Sequence, residues 1–143
     1  AAYCADWFAA QMCAALTAQL EDWQPDLITY MPIGLLHYRK RGYNQAELLA
    51  KLIAKPLSLP CEATLRKRWF VGKQSAQKDY AARQSNAANA VLPKGGVDLT
   101  GKSVVLVDDI ITTGATAAAA VKVLRKMGAS RVYVLAATFT PRK

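Results

Sequence analysis

The chain has 143 residues, 52% hydrophobic and 20% charged, with a formal net charge of +9. This is the length of one domain with its own core, spanning 1–143, and its composition excludes a disordered chain. No apolar run approaches the roughly 18 residues of a membrane span, and no basic stretch leads into an apolar one as in a secretory signal.

The charge is unevenly placed. Residues 1–36 carry four acids and no Lys or Arg, residues 37–83 sum to +8, and residues 84–143 sum to +5. A basic middle block favours an anionic partner, although a solvated basic face has the same composition. Cys4, Cys13 and Cys61 form no CxxC pair and His37 is the single histidine. A disulfide framework or zinc site is therefore not expected, and a reducing cytoplasm is the default compartment.

In chain order, Phe8, Met12, Leu16 and Leu20 recur at steps of four and predict a helix over 4–20 that ends by Pro25. Leu27 to Met31 is a short apolar run between Pro25 and Pro32, read as a buried strand. Residues 33–43 read as a basic loop, or a loop with a turn of helix. Asn44 is placed to cap a helix carrying Leu48, Leu49, Leu52 and Ile53, which Pro56 ends. Ala63 to Leu65 suits a piece of strand, residues 66–78 an irregular basic loop, and residues 79–89 a polar helix. Trp69 and Phe70 stand among basic residues, an arrangement that fits either stacking on single-stranded nucleic acid or anchoring of the loop to the core.

The last third is the clearest. Val104 to Val107 is a continuous strand run, Gly114 to Met127 an Ala-rich helix with Gly128 as its cap, and Val132 to Ala137 a second apolar strand. Strand, helix and strand in succession predict a right-handed βαβ unit with strands buried on both faces. Gly96 to Ser103 satisfies the P-loop pattern letter for letter. A P-loop must open a helix, because the helix N-terminus holds the phosphates. Here strand residues follow Ser103 at once, so the segment reads as a turn feeding a strand.

The chemistry lies after that strand, in Asp108-Asp109-Ile110-Ile111-Thr112-Thr113-Gly114-Ala115-Thr116. Ligands of α/β sheets bind at the carboxyl ends of strands. Two carboxylates there suit hydroxyl groups or a divalent cation. The Thr/Gly loop and the free amides of a helix start suit a phosphate. The pair of features fits a sugar phosphate. The plainer alternative is helix capping, which needs one such residue rather than two acids and three threonines.

Val104 to Thr116 resembles, at all thirteen positions, the phosphoribosyl pyrophosphate (PRPP) motif of type I phosphoribosyltransferases. Arg41-Gly42-Tyr43-Asn44-Gln45, and Arg83 and Asn86 followed by Ala90-Val91, resemble signatures of the ComF/GntX-like branch, which is associated with DNA-uptake competence. That branch's Cys-rich, zinc-binding N-terminal segment has no match here, and Lys73-Gln74-Ser75 and Gln77 match its Thr and Gln only loosely. The resemblance implies an α/β, type I phosphoribosyltransferase-like fold with a mostly parallel central sheet flanked by helices. It implies Mg²⁺ with PRPP as substrate. Asp108 and Asp109 would be the catalytic acids, holding the ribose hydroxyls directly or through the metal. Ile110, Thr112, Thr113, Gly114, Ala115 and Thr116 would complete the PRPP site, with the amides of 113–116 on the 5′-phosphate. The pyrophosphate would lie by Pro32 and Ile33, with Arg39, Lys40, Arg41 or Lys73 to neutralise it, and loop 66–78 would close over it. The implied activity is transfer of phosphoribose to an unidentified nitrogenous acceptor. A single-stranded-DNA-binding competence protein on the same fold and a PRPP sensor without turnover remain open, as does the oligomeric state, a homodimer included.

Overall fold

The computed structural model describes residues 2–33, 42–67, 91–111 and 114–139. The elements are α1 (Ala2–Trp23), β1 (Leu27–Tyr30), α2 (Gln45–Leu57), β2 (Leu65–Lys67), β3 (Val91–Pro93), β4 (Ser103–Ile111), α3 (Ala115–Lys126) and β5 (Arg131–Phe139). β1, β4 and β5 form a parallel sheet in the order β1-β4-β5, with Leu27 opposite Val104 and Val104 opposite Val132. β2 and β3 form a separate antiparallel pair, Leu65 opposite Pro93. Residues 60–62 run along the other side of β1, where Ile28 N–H donates to Pro60 O and Glu62 N–H to Ile28 O.

Two helical layers cover the sheet because β4 alternates. Val105 and Val107 pack with Ile28 under α1 and α2, against Met12, Leu16, Leu49 and Ile53. Val104 and Leu106 face the other way, against Ala120 and Leu124 of α3 and Leu65 and Val91 of the small sheet. All four β4 side chains are fully buried. Truncating one to Ala would cost about 2–4 kcal/mol in lost transfer energy and cavity.

The βαβ unit β4–α3–β5 stands as expected, with corrections at its edges. β4 runs on past both acids to Ile111, so the strand is longer than its apolar run. β5 does not fit the expectation of burial on both faces, since Val132 to Thr138 are all partly exposed. β5 lies at the end of the strand order and has a neighbour on one side only among the described residues. α3 ends as a Schellman turn: Gly128 N–H donates to Arg125 O and Ala129 N–H to Leu124 O, with Met127 as the C-cap and Gly128, at φ +107°, one residue beyond. Pro56 sits inside the last turn of α2 instead of ending it, and α1 continues to Trp23. Arg66 and Lys67, expected in a loop, are strand residues. Gly96 to Ser103 is a turn feeding β4, at the opposite end of the strand from the acids. The expected helix over 79–89, the expected loop beyond Lys67 and nearly all of the basic loop at 33–43 lie outside the described residues.

Candidate functional site

The carboxyl ends of β1 and β4 and the start of α2 enclose a cleft of about 240 Å³ lined by Met31, Pro32, Ile33, Asn44, Gln45, Ala46, Asp108 and Asp109. Each element contributes for a local reason. β1 stops at Tyr30 because Pro32 removes an N–H and holds its own φ. α2 starts at Gln45 because the Asn44 Oδ1 accepts from Ala46 N–H at 3.0 Å and from Glu47 N–H at 3.4 Å. The alternation of β4, carried past Val107, assigns Asp108 to the α3 side and Asp109 to the α1–α2 side.

Both carboxylates turn back on their own strand. Asp108 Oδ1 accepts from Asp109 N–H at 2.8 Å, and Asp109 Oδ1 from Ile110 N–H at 2.9 Å. Asp108 is half-buried, and its pKa is pushed up from 3.8 to about 7. Burial is the main cause; the hydrogen bond to the Asp109 carboxyl and the Asp109 charge push the same way, against the Asp109 amide and the Lys67 charge. Lys67 at the end of β2 is itself half-buried. Burial lowers its pKa and the Asp108 charge opposes that shift. The small sheet thus brings a partly desolvated cation toward Asp108.

Of the residues expected at the site, Asp108, Asp109, Pro32 and Ile33 come together in the cleft. Ile110 follows them and is 53% exposed. Gly114, Ala115 and Thr116 open α3 but do not line this cleft; Ala115 borders a second groove of about 560 Å³ against β3. Gly114 sits at φ +81°, and among the described residues nothing beyond its chain neighbours stands within 4 Å of where a Cβ would be. Gly114, the N-cap of α3, brings no side chain of its own to cap it. Thr112, Thr113, Arg39, Lys40, Arg41 and Lys73 lie outside the described residues. Met31, Asn44, Gln45 and Ala46 line the cleft without being expected site residues, and Lys67 faces Asp108 although the sequence places it in a basic loop.

Among the described residues no three His, Cys, Asp or Glu side chains cluster as a metal cage. Two adjacent carboxylates at the mouth of a cleft instead fit a cation that keeps most of its shell as water and phosphate oxygen, the habit of Mg²⁺.

A family model for the phosphoribosyl transferase domain matches residues 43–142. The chain belongs to the phosphoribosyltransferase family. Within that family it is similar to competence protein F of Haemophilus influenzae, 34% identical over 109 residues, which cover 73% of this chain and 47% of that protein. It is also similar to the DNA utilization protein YhgH of Escherichia coli, 31% identical over 113 residues, covering 77% of this chain and 48% of that one. The chain spans about half the length of the curated relatives it matches. Among solved structures, the glutamine PRPP amidotransferase of B. subtilis, complexed with ADP and GMP, superposes with a TM-score of 0.63 at 28% identity, over 93% of this chain and 26% of that one. This member of the family is thus ComF-like, on the type I phosphoribosyltransferase-like fold. Among the described residues no helix is long and apolar enough to cross a membrane.

Proposed function

We propose that the cleft at the carboxyl end of the sheet binds PRPP together with Mg²⁺, and that the protein transfers phosphoribose to a nitrogenous acceptor. The observation that carries this reading is the Asp108–Asp109 pair, opening into a cleft whose opposite wall is the Pro32–Ile33 turn. The acids accept hydrogen bonds from the ribose hydroxyls, and the backbone at Gly114 to Thr116 receives the 5′-phosphate. Mg²⁺, held by Asp108 and Asp109 directly or through water, would supply charge neutralisation for the pyrophosphate. In the transfer, the bond from C1′ to the pyrophosphate oxygen breaks and a bond from C1′ to the acceptor nitrogen forms. Pyrophosphate leaves with the electron pair, and the acceptor nitrogen sheds a proton. Positive charge grows on the sugar as it does so, and carboxylates fixed beforehand on β4 stabilise it without reorganising. Lys67 balances the charge of Asp108.

The test is thermal unfolding of the chain with and without PRPP and Mg²⁺, beside an Asp108→Asn/Asp109→Asn variant. Ligand at about a hundred times its dissociation constant adds roughly 2.7 kcal/mol, or about 5–15 °C at this size. Wild type is expected to gain this and the variant to lose it; a folded wild type that gains nothing contradicts the reading. Pyrophosphate release on adding candidate amines and bases then separates a transferase from a sensor.

A second reading is favoured by the relatives' names, a competence protein and a DNA utilization protein, and by the +8 charge of residues 37–83. In it, the fold also binds single-stranded DNA. Affinity that falls steeply with salt is expected there, and no binding at low salt excludes it.

A further inference from the structure

The turn after β1 is held at both of its last main-chain groups. Met31 N–H donates to Val107 O at 2.9 Å, the residue directly before Asp108. Met31 O accepts from Asn44 Nδ2 at 3.0 Å. Pro32 then brings no N–H of its own. The other end of the same Asn44 amide, Oδ1, accepts from Ala46 and Glu47 N–H at the start of α2. Asn44 is 8% exposed and lines the cleft beside Asp108 and Asp109. One buried amide therefore ties together the end of β1 and the first turn of α2, and through Met31 it reaches the strand that carries the acids.

Helix capping explains only half of this. A cap needs an acceptor, and Ser and Asp supply one about as well as Asn. The donor on Nδ2 is superfluous for capping; its partner is the Met31 carbonyl. We propose that Asn44 is the positioning residue of the site, its amide holding the Met31–Pro32–Ile33 turn at a set separation from Asp108 and Asp109 so that a pyrophosphate group fits between them. This rests on the reading of the cleft as a PRPP site. Ser keeps the cap and loses the tether. Asp keeps the cap and sets a carboxylate oxygen against the Met31 carbonyl, which is worse than no contact. Ala loses both.

The experiment compares wild type with Asn44→Ser, Asn44→Asp and Asn44→Ala. The probe is inorganic pyrophosphate with Mg²⁺, followed by calorimetry. Each protein is also melted without ligand, and hydrogen exchange of the Met31 amide is read. Asn44→Ser is expected to melt within about 5 °C of wild type, since its cap survives. Its pyrophosphate affinity should nevertheless fall about tenfold and its Met31 amide exchange faster by a similar factor. Asn44→Asp should lose more affinity, and Asn44→Ala should lose affinity and melting temperature together. Wild-type binding retained in full by Asn44→Ser, with Met31 exchange unchanged, overturns the proposal alone. Wild type that binds no pyrophosphate overturns the PRPP reading and the proposal with it.

Discussion

The two ends of the central sheet are built on opposite terms. At the amino end the elements are bonded to one another. Ser103 N–H donates to Asp26 Oδ2 and Ser103 Oγ to Trp23 O, each at 2.8 Å, and Asp26 N–H returns a bond to Ser103 O. The Trp23 ring stacks on Tyr133 with centroids 4.2 Å apart. The turn before β4 is laced to the end of α3 through Leu99 N–H to Met127 O and Gly101 N–H to Gly128 O. At the carboxyl end the acids bond back to their own strand, a cleft stands open, and Ile110 is exposed. The contrast separates what holds the fold from what is left available for a ligand. A half-buried carboxylate, costly in an ordinary core, lines the cleft where a ligand can reach it.

Two glycines at the ends of α3 allow this contrast to be broken deliberately. Both have positive φ, +107° at Gly128 and +81° at Gly114. A Cβ on Gly128 would stand 2.8 Å from Thr100 Cα and 2.9 Å from Thr100 N, both backbone atoms, whereas one on Gly114 meets nothing within 4 Å. Gly128→Ala is therefore expected to cost about 2–4 kcal/mol in denaturant unfolding, combining left-handed strain with a clash that only backbone movement relieves. Equal losses at the two positions would contradict the difference drawn between the ends.

A smaller effect sharpens the comparison at Asp108. Its pKa is raised from 3.8 to about 7 in the folded chain, so the folded state holds this proton more tightly than the unfolded state does. Its contribution to stability is fully present below about 3.8 and is lost as pH rises through about 7. Asp108→Asn cannot lose it. The ligand-free variant should gain on wild type between pH 5 and pH 8, by about 1–2 kcal/mol once solvent screening is allowed for. A gap between variant and wild type that does not change with pH would rule out burial as the cause. Smallest is Gly114→Ala, about 1 kcal/mol of strain with no clash among the described residues, with its main consequence expected in the proposed PRPP binding.

Which of these features the sequence revealed follows from the range of the interactions involved. β4, α3 and β5 were legible because each is fixed by its own residues: a β-branched run, an Ala-rich stretch, and Gly128 where only a left-handed residue fits. The acid pair was legible because two carboxylates at a strand end have few other uses. β2 was legible only at Leu65 and β3 not at all, since three residues each carry no periodicity and their pairing joins Lys67 to Val91 across a long stretch of chain. Lys67 was hidden for the same reason: it reads as one more base in a basic run until the small sheet turns it toward Asp108. The second bond of Asn44 was equally hidden, because a letter that caps a helix gives no sign of what its other atom holds. β5 misled because Val132 to Ala137 has the composition of a central strand while lying at the end of the strand order.

The most direct test of the division between the two ends is amide hydrogen exchange of the wild-type chain with and without PRPP and Mg²⁺. The account predicts slowed exchange at Ile33, Asp109, Ile110 and Gly114 to Thr116. It predicts no site-specific change at Leu99 to Ser103 or Gly128 to Arg131. Protection confined to the amino-end turns, or none at Asp109 and Ile110 with ligand bound, would contradict it.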